Sequence, residues 1–475
     1  MSTLTLRAAP AIRRPALAVA RLLGAVALTG SVATSFLLAA AAAQRPSVLS
    51  PPSRVAFPGW MAGPLAGLEP GLTGDPIRLK VLFTGALAVL AVCWLGAWAF
   101  GRHLPAAATI AALVGTTVAF VLGPPQQLTD VFNYIQYGRM PALHGLNPYV
   151  VAPLTDHADP VFAWTNWSHL PSPYGPLFTL LGEALAPLGV AGAYWALKLL
   201  TGAASLGLVA LVWTAVRRAG RDPRPAAAFA GLNPLVLAFG LGGVHNDPFV
   251  ILAVVAAIVL AAGSGESPAP PRRAFAAGVA AVAGPALKAS AVVFAPLVVL
   301  GARGRRQWTL AGAAVAALAV VLAVDAAFGG YLPAIGLQSR LVSPISIPNV
   351  AGFLLGDGGA TAGVRLGAEA ALAVAVLAAC FAVWRGAAVA TAAGWTGVAV
   401  VLTLTWTMPW YVLWVLPFAA LSRSRALRVV AVVLTAWLAL SWIPQMPDLI
   451  HHFGWKPTRT TTGQAEHAYI EGLLH

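Results

Sequence analysis

Apolar runs long enough to span a bilayer recur from one end of this chain to the other, and they exclude most folds at once. A hydrocarbon core of about 30 Å needs about 20 apolar residues per helix. Such runs lie at residues 22–43, 80–100, 104–122, 191–216, 225–241, 248–263, 308–328, 364–384, 386–405, 408–422 and 426–443. In hydrocarbon every backbone N–H and C=O must be satisfied within its own segment, so these runs read as helices. The 475 residues are 59% hydrophobic and only 9% charged, against roughly 25% charged in soluble domains. A single large water-soluble core is excluded, and the expected fold class is all-α, a polytopic transmembrane helix bundle.

Two further stretches are ambiguous. Residues 274–301 are interrupted by Gly284 and Pro285 and flanked by arginine on both sides, Arg272 and Arg273 before, Arg303, Arg305 and Arg306 after. This predicts a segment that enters and returns as two short helices. The proline-bounded stretch 176–190 is too short to span and reads as an interfacial or re-entrant helix. Counting both gives about 13 spans, with the N-terminus cytoplasmic and the C-terminus outside. The arginines support this orientation: Arg102, the Arg217/Arg218/Arg221/Arg224 cluster, Arg385 and Arg423/Arg425/Arg428 fall in the turns assigned to the cytoplasm. The chain divides into a membrane domain, 1–443, and an extracytoplasmic tail, 444–475. Arg7, Arg13, Arg14 and Arg21 precede an uncharged stretch to Ala43, longer than a signal-peptide core of about 7–15 residues. It reads as a retained first span, and cleavage near Ala43 leaves the orientation unchanged.

A formal net charge of +14 does not indicate nucleic acid here, because no basic stretch is interleaved with aromatics. Cys93 and Cys380 both sit inside apolar runs, so neither a disulfide framework nor a metal cluster can be built from them.

Polar chemistry concentrates in the loops on the outer side: 44–79, 123–175, 329–363 and the tail. Loops longer than about 12–15 residues in a compact fold usually serve function. Asp130 opens Asp130-Val131-Phe132-Asn133-Tyr134 and reads as the N-cap of a helix, a structural role. The same carboxylate at a membrane surface can accept the proton of a sugar hydroxyl that attacks an anomeric carbon. A lipid-phosphate leaving group departs as a stabilised anion and needs cations; Arg139 is the nearest in sequence. Next come Asn147-Pro148-Tyr149, Trp164, Trp167 and Ser172-Pro173-Tyr174, as a headgroup belt or as sugar-stacking surface. Asp156, His157 and Asp159 are explained by a solvated turn before Pro160, and no metal is expected there.

His245-Asn246-Asp247 lies in a short turn between two apolar runs, where three polar side chains are costly unless they meet water or a ligand. Turn chemistry explains Asn246-Asp247-Pro248 by itself; His245 adds a donor that a turn does not require. Lys288 comes just after the Gly284–Pro285 break, with a lipid phosphate or snorkelling to the surface as its two outlets. Arg340 is a second cation of this kind, and Trp410 and Tyr411 mark a helix entering from outside.

Taken together, Asp130 with Tyr134 and Gly138, Asn147-Pro148-Tyr149, Ser172-Pro173-Tyr174-Gly175-Pro176, Asn233-Pro234, Gly243-Val244-His245-Asn246-Asp247, Lys288 and Pro409-Trp410-Tyr411 resemble the polyprenol-phosphate-mannose-dependent α-1,6-mannosyltransferases of actinobacterial lipoglycan assembly. These belong to the polytopic GT-C class of glycosyltransferases. The resemblance covers roughly residues 120–420. It implies Asp130 as the catalytic carboxylate; Arg139, His245, Asn246, Asp247, Lys288 and Arg340 around the donor phosphate or sugar; and Tyr134, Asn147, Tyr149, Tyr174, Trp410 and Tyr411 lining the substrate. It further implies a polyprenyl-phosphate-mannose donor, a lipid-anchored mannan acceptor, inversion to an α-1,6 linkage on the outer face of the cytoplasmic membrane, and no cofactor. Asp130 has no acidic neighbour, unlike the paired acids of many members of the wider class, so metal dependence is not implied. A secondary transporter or lipid flippase is the competing reading, since broken helices also serve transport. Transporters place ionisable groups near the midplane at repeat interfaces, whereas the charges here lean outward and no repeat is visible.

Overall fold

The computed structural model describes residues 13–43, 57–68, 75–263, 267–333 and 335–474. Arg7 and most of the loop 44–79 lie outside them. Among the described residues the regular elements are all helices and no strand forms. Among the described residues five helices are long and apolar enough to cross a membrane: Pro15–Ala43, Ile77–His103, Pro176–Arg218, Arg306–Phe328 and Ala362–Trp384. A pair bent by 83°, Arg425–Ser441 with Met446–His452, is a sixth candidate. Shorter apolar helices complete the bundle: Ala106–Leu122, Asp247–Ala261, Ala289–Gly301, Val389–Thr403 and Pro409–Leu421. The expectation of about 13 spans, two of them short, is not confirmed: five or six helices are long and apolar enough to cross, and the rest of the bundle is built from short ones. Short helices with irregular ends are tolerated at membrane depth where protein covers the freed backbone groups. The outer helices look the other way: Leu318, Val321, Leu322, Leu377 and Phe381 are each at least 60% exposed, an apolar surface that calls for lipid rather than water.

Three junctions in the helical runs shape the site. The expected break in 274–301 is present but sits at Lys288, between Pro271–Leu287 and the turn Ala289–Phe294, with Pro285 inside the first helix. Lys288 is extended (φ −156°, ψ 117°), and the Leu287 carbonyl accepts the Gly175 N–H at 3.1 Å. A loop from elsewhere in the chain thus satisfies a group that the break frees. The second break divides the run 225–241. Asn233 Oδ1 accepts the N–H groups of Leu235 and Val236 while its Nδ2 donates to Thr435, and a wide π-helical turn, Val236–Leu241, comes next. In the third, Pro176–Leu185 does not stand apart as an interfacial helix. It continues through a single turn, Ala186–Leu188, into Gly189–Arg218, because prolines in a first turn give up only N–H groups that lack helical partners.

The arginine-rich turns assigned to one side by charge meet one another. Arg221 donates to the carbonyl of Leu421, Arg224 to that of Leu104, and Arg428 to that of Ser422. The turns near 104, 222 and 422 therefore form one basic end of the bundle.

The helix Asp130–His144 packs so closely on Pro176–Leu185 that a Cβ on Gly138 would stand 2.1 Å from the Gly182 carbonyl carbon. Gly138→Ala is expected to destabilise the protein by about 1–3 kcal/mol through overpacking. Residual monodisperse protein after a graded heat challenge in detergent measures this, with Gly336→Ala, where an added Cβ meets nothing within 4 Å, unchanged.

Candidate active site

Asp130 is the first residue of its helix rather than the cap. Thr129 occupies the cap position, with no side-chain cap bond from it. The carboxylate is therefore directed elsewhere: Oδ1 accepts the Trp167 indole N–H at 3.3 Å, and Oδ2 lies 3.4 Å from His245 Nδ1. Two links hold this geometry. Gln126 N–H donates to the Gly242 carbonyl at 2.9 Å, tying the approach to Asp130 to the His245 turn. One helical turn beyond Asp130, Asn133 Oδ1 accepts the N–H groups of Asn166 and Trp167 at 3.3 and 3.4 Å, setting the Trp167 loop.

The turn carrying His245 is strained. Val244 has φ +57°, a conformation that crowds a β-branched side chain and persists only where the surroundings enforce it. The His245 ring lies flat on Trp410, with centroids 3.4 Å apart and planes 10° from parallel. Its Nε2 and the Asn246 side-chain Nδ2 are buried without a hydrogen-bond partner among the described residues. Unpaired buried polar groups are rare enough to call for a functional explanation.

Asp247, fully buried, organises the other side. Its carboxylate accepts from Trp414 Nε1 at 2.6 Å, from Trp410 Nε1 at 2.9 Å, and from Lys288 Nζ at 3.0 Å on both oxygens. Lys288 Nζ also stands 4.7 Å above the centre of the Tyr411 ring. One carboxylate thus fixes the ammonium and both indoles, one of which supports His245.

These groups line one cavity of about 190 Å³, bordered by Asp130, Tyr134, Tyr174, His245, Asn246, Asp247, Lys288, Trp410 and Tyr411. Burial pushes the phenols of Tyr134 and Tyr137 well up, and the nearby Asp130 carboxylate adds to the effect, so both remain protonated donors. Past Lys288, Gln338 and Tyr411 a second, more apolar groove of about 360 Å³ begins, walled by Val292, Ile335, Leu372 and Trp414. Val292 and Ile335 are more than half exposed, so this groove opens to the outside of the bundle.

Four residues predicted for the site border neither cavity. Arg139 is buried against Asp159, Nε to carboxylate at 2.9 Å. Arg340 stacks on Tyr469, 4.2 Å from the ring centre. Asn147 donates to the Phe328 carbonyl, and Tyr149 donates its hydroxyl toward the Tyr174 carbonyl and Thr179. These residues brace the loops. Conversely, Trp167, Trp414 and Asn133 position the charged groups; the sequence marked Trp167 only as belt or stacking surface, and Asn133 only by its place three residues after Asp130. His144, rather than His157, joins Asp156 and Asp159, with potential ligand atoms within 4.8 Å of one another. The Arg139 guanidinium already holds Asp159, so a cation there meets a fixed positive charge.

A helical bundle that gathers a carboxylate, an imidazole and an ammonium in one cleft beside an apolar groove has the form of an enzyme active site. The chain belongs to the alpha-(1→6)-mannopyranosyltransferase family: residues 22–304 match the model of that family's N-terminal domain, and residues 350–454 match the MptB C-terminal domain. It is 31% identical over 194 residues to alpha-(1→6)-mannopyranosyltransferase A of Mycobacterium tuberculosis, covering 38% of this chain and 36% of the relative. It is 26% identical over 272 residues to the Corynebacterium glutamicum protein of the same name (50% and 53%), and 28% identical over 185 residues to a probable alpha-(1→6)-mannopyranosyltransferase of Mycolicibacterium smegmatis (37% and 33%). The matched segments thus span about a third to a half of the length of these relatives. No solved structure matches the chain.

Removing one member of a buried ion pair leaves the other charge uncompensated, at a cost of about 3–5 kcal/mol. Asp247→Ala is expected to lower the heat-challenge midpoint strongly, and Asp247→Ala with Lys288→Met to recover part of the loss. A double variant no better than the single one counts against the pair as the organising contact.

Proposed function

We propose that the chain transfers mannose from polyprenyl-phosphate-mannose to a lipid-anchored mannan, forming an α-1,6 linkage with inversion on the outer face of the cytoplasmic membrane. The observation that carries the reading is the shared cavity of Asp130, the His245–Asn246–Asp247 turn and Lys288, continuous at Lys288 with a groove that opens outward.

In this reading the polyprenyl chain lies in the apolar groove and its phosphate meets Lys288. The acceptor hydroxyl approaches Asp130, whose Oδ2 takes the proton as the oxygen bonds to the anomeric carbon. The bond from that carbon to the phosphate oxygen breaks on the opposite face, turning a β-linked donor into an α-linked product. The departing phosphate keeps the electron pair and is stabilised by the ammonium. Trp167 and His245 keep the Asp130 carboxylate aimed, and the Nε2 of His245 and Nδ2 of Asn246, unpaired among the described residues, are suited to sugar hydroxyls. With a phosphate as leaving group no second carboxyl acid is needed, and the cationic role falls to Lys288 rather than to a metal.

Membranes containing the chain, supplied with labelled polyprenyl-phosphate-mannose and an α-1,6-linked mannoside, should form a longer mannoside. Asp130→Asn should reduce the rate by about 10²-fold or more with heat stability unchanged. Wild-type turnover by Asp130→Asn removes the carboxylate from the mechanism, and no transfer by the parent chain to any mannoside removes the reading as a whole.

A further inference from the structure

The two cavities share Pro173, Lys288, Gln338, Trp406 and Tyr411 but divide beyond them. Asp130, Trp167, Ile470 and Leu474 border the cleft and not the groove. Ile470 and Leu474 belong to the tail, beyond residue 454, where the match to the family's C-terminal model ends. This tail is folded: the helix Thr461–Glu471 and the residues after it bridge two outer loops that are far apart in sequence.

On one side, Tyr469 donates its hydroxyl to the Leu337 carbonyl at 2.8 Å, Arg340 covers its ring, and Glu466 accepts the Ala360 N–H at 2.9 Å. On the other, His169 N–H donates to the Leu473 carbonyl at 3.1 Å, and Leu473 is buried with Leu170 and Leu341. Trp167 and Trp406 pack edge to face against the same cluster, and Trp167 is the residue that holds Asp130. The segment therefore closes the part of the cleft that contains the base and leaves the Lys288 part to the groove.

We infer that residues 461–474 form the wall of the acceptor subsite and select which sugar chain reaches Asp130. The inference rests on the proposed transfer reaction. In an inverting displacement the nucleophile and the leaving group occupy opposite faces of the reacting carbon. If the donor lipid and phosphate fill the groove and the Lys288 end, the acceptor is confined to the Asp130 end. There the wall is Trp167, Ile470 and Leu474: an indole face suited to stacking on a pyranose ring, and two aliphatic groups that limit its depth. A mannoside of more than one residue must pass this wall, so acceptor length is read here.

Ile470→Ala with Leu474→Ala, in the full chain, should change KM for an α-1,6-linked dimannoside relative to a tetramannoside by about tenfold, as expected for altered packing in a substrate pocket, and leave KM for polyprenyl-phosphate-mannose unchanged. A second measurement is independent of turnover. Leu474→Cys, labelled with a soluble maleimide against the parent chain as background for Cys93 and Cys380, should be protected by the tetramannoside and not by polyprenyl phosphate. Protection by polyprenyl phosphate alone, or by neither compound, overturns the inference, as does a change confined to the donor KM. A parent chain that transfers no mannose refutes the proposed reaction instead, and the labelling result still decides whether a sugar chain lies against this wall.

Discussion

The buried contact between Asp247 and Lys288 organises the cleft, because it ties to one charge three segments that elsewhere pack only through apolar side chains. A carboxylate in a protein interior must be neutralised and fully hydrogen-bonded to be tolerated. Asp247 meets both conditions with partners from two other parts of the chain, Lys288 at a helix break and Trp410 and Trp414 in the turn Pro409–Trp414. The three segments can satisfy the charge only by meeting at one point. Once they do, Trp410 presents its face to His245, and His245 stands beside Asp130.

Irregular backbone is concentrated at the same place. The extended residue Lys288 borders the cleft, and the π-helical turn before Gly242 and the positive φ of Val244 lead into the His245–Asp247 turn that also borders it. Each frees or strains backbone groups, and the first two are compensated by a contact from a distant segment: Gly175 to Leu287, Gln126 to Gly242. This is the arrangement expected when polar side chains must be delivered to a cavity within a bundle whose outside faces lipid. The long straight helices Arg306–Phe328 and Ala362–Trp384 contribute apolar surface, and the short broken ones contribute chemistry.

Membership of the mannosyltransferase family agrees with this division of labour. The N-terminal family match covers the helices bearing Asp130, His245, Asp247 and Lys288, while Trp410 and Tyr411 lie in the C-terminal match. The cleft is thus assembled from both, and the tail lies against it from beyond either.

Much was legible from the chain alone, because hydropathy and charge act locally. The helical class, the basic end of the bundle and the candidacy of His245, Asp247 and Lys288 follow from apolar runs interrupted by polar residues that hydrocarbon does not tolerate unpaired, whereas the grouping of these residues with Asp130 and Asn246 came from the family resemblance. The number of full spans was not legible, since apolar length cannot distinguish a helix facing lipid from a short one covered by protein. Nor could spacing separate Arg139 and Arg340, which are held by Asp159 and Tyr469, from Lys288, which borders both cavities: each is a cation in or near an outer loop. The sequence by itself determined which residues could not rest in lipid without a partner. Only the tertiary structure decided which partner each one found, because those partners lie tens to hundreds of residues away and are selected by packing rather than by local pattern.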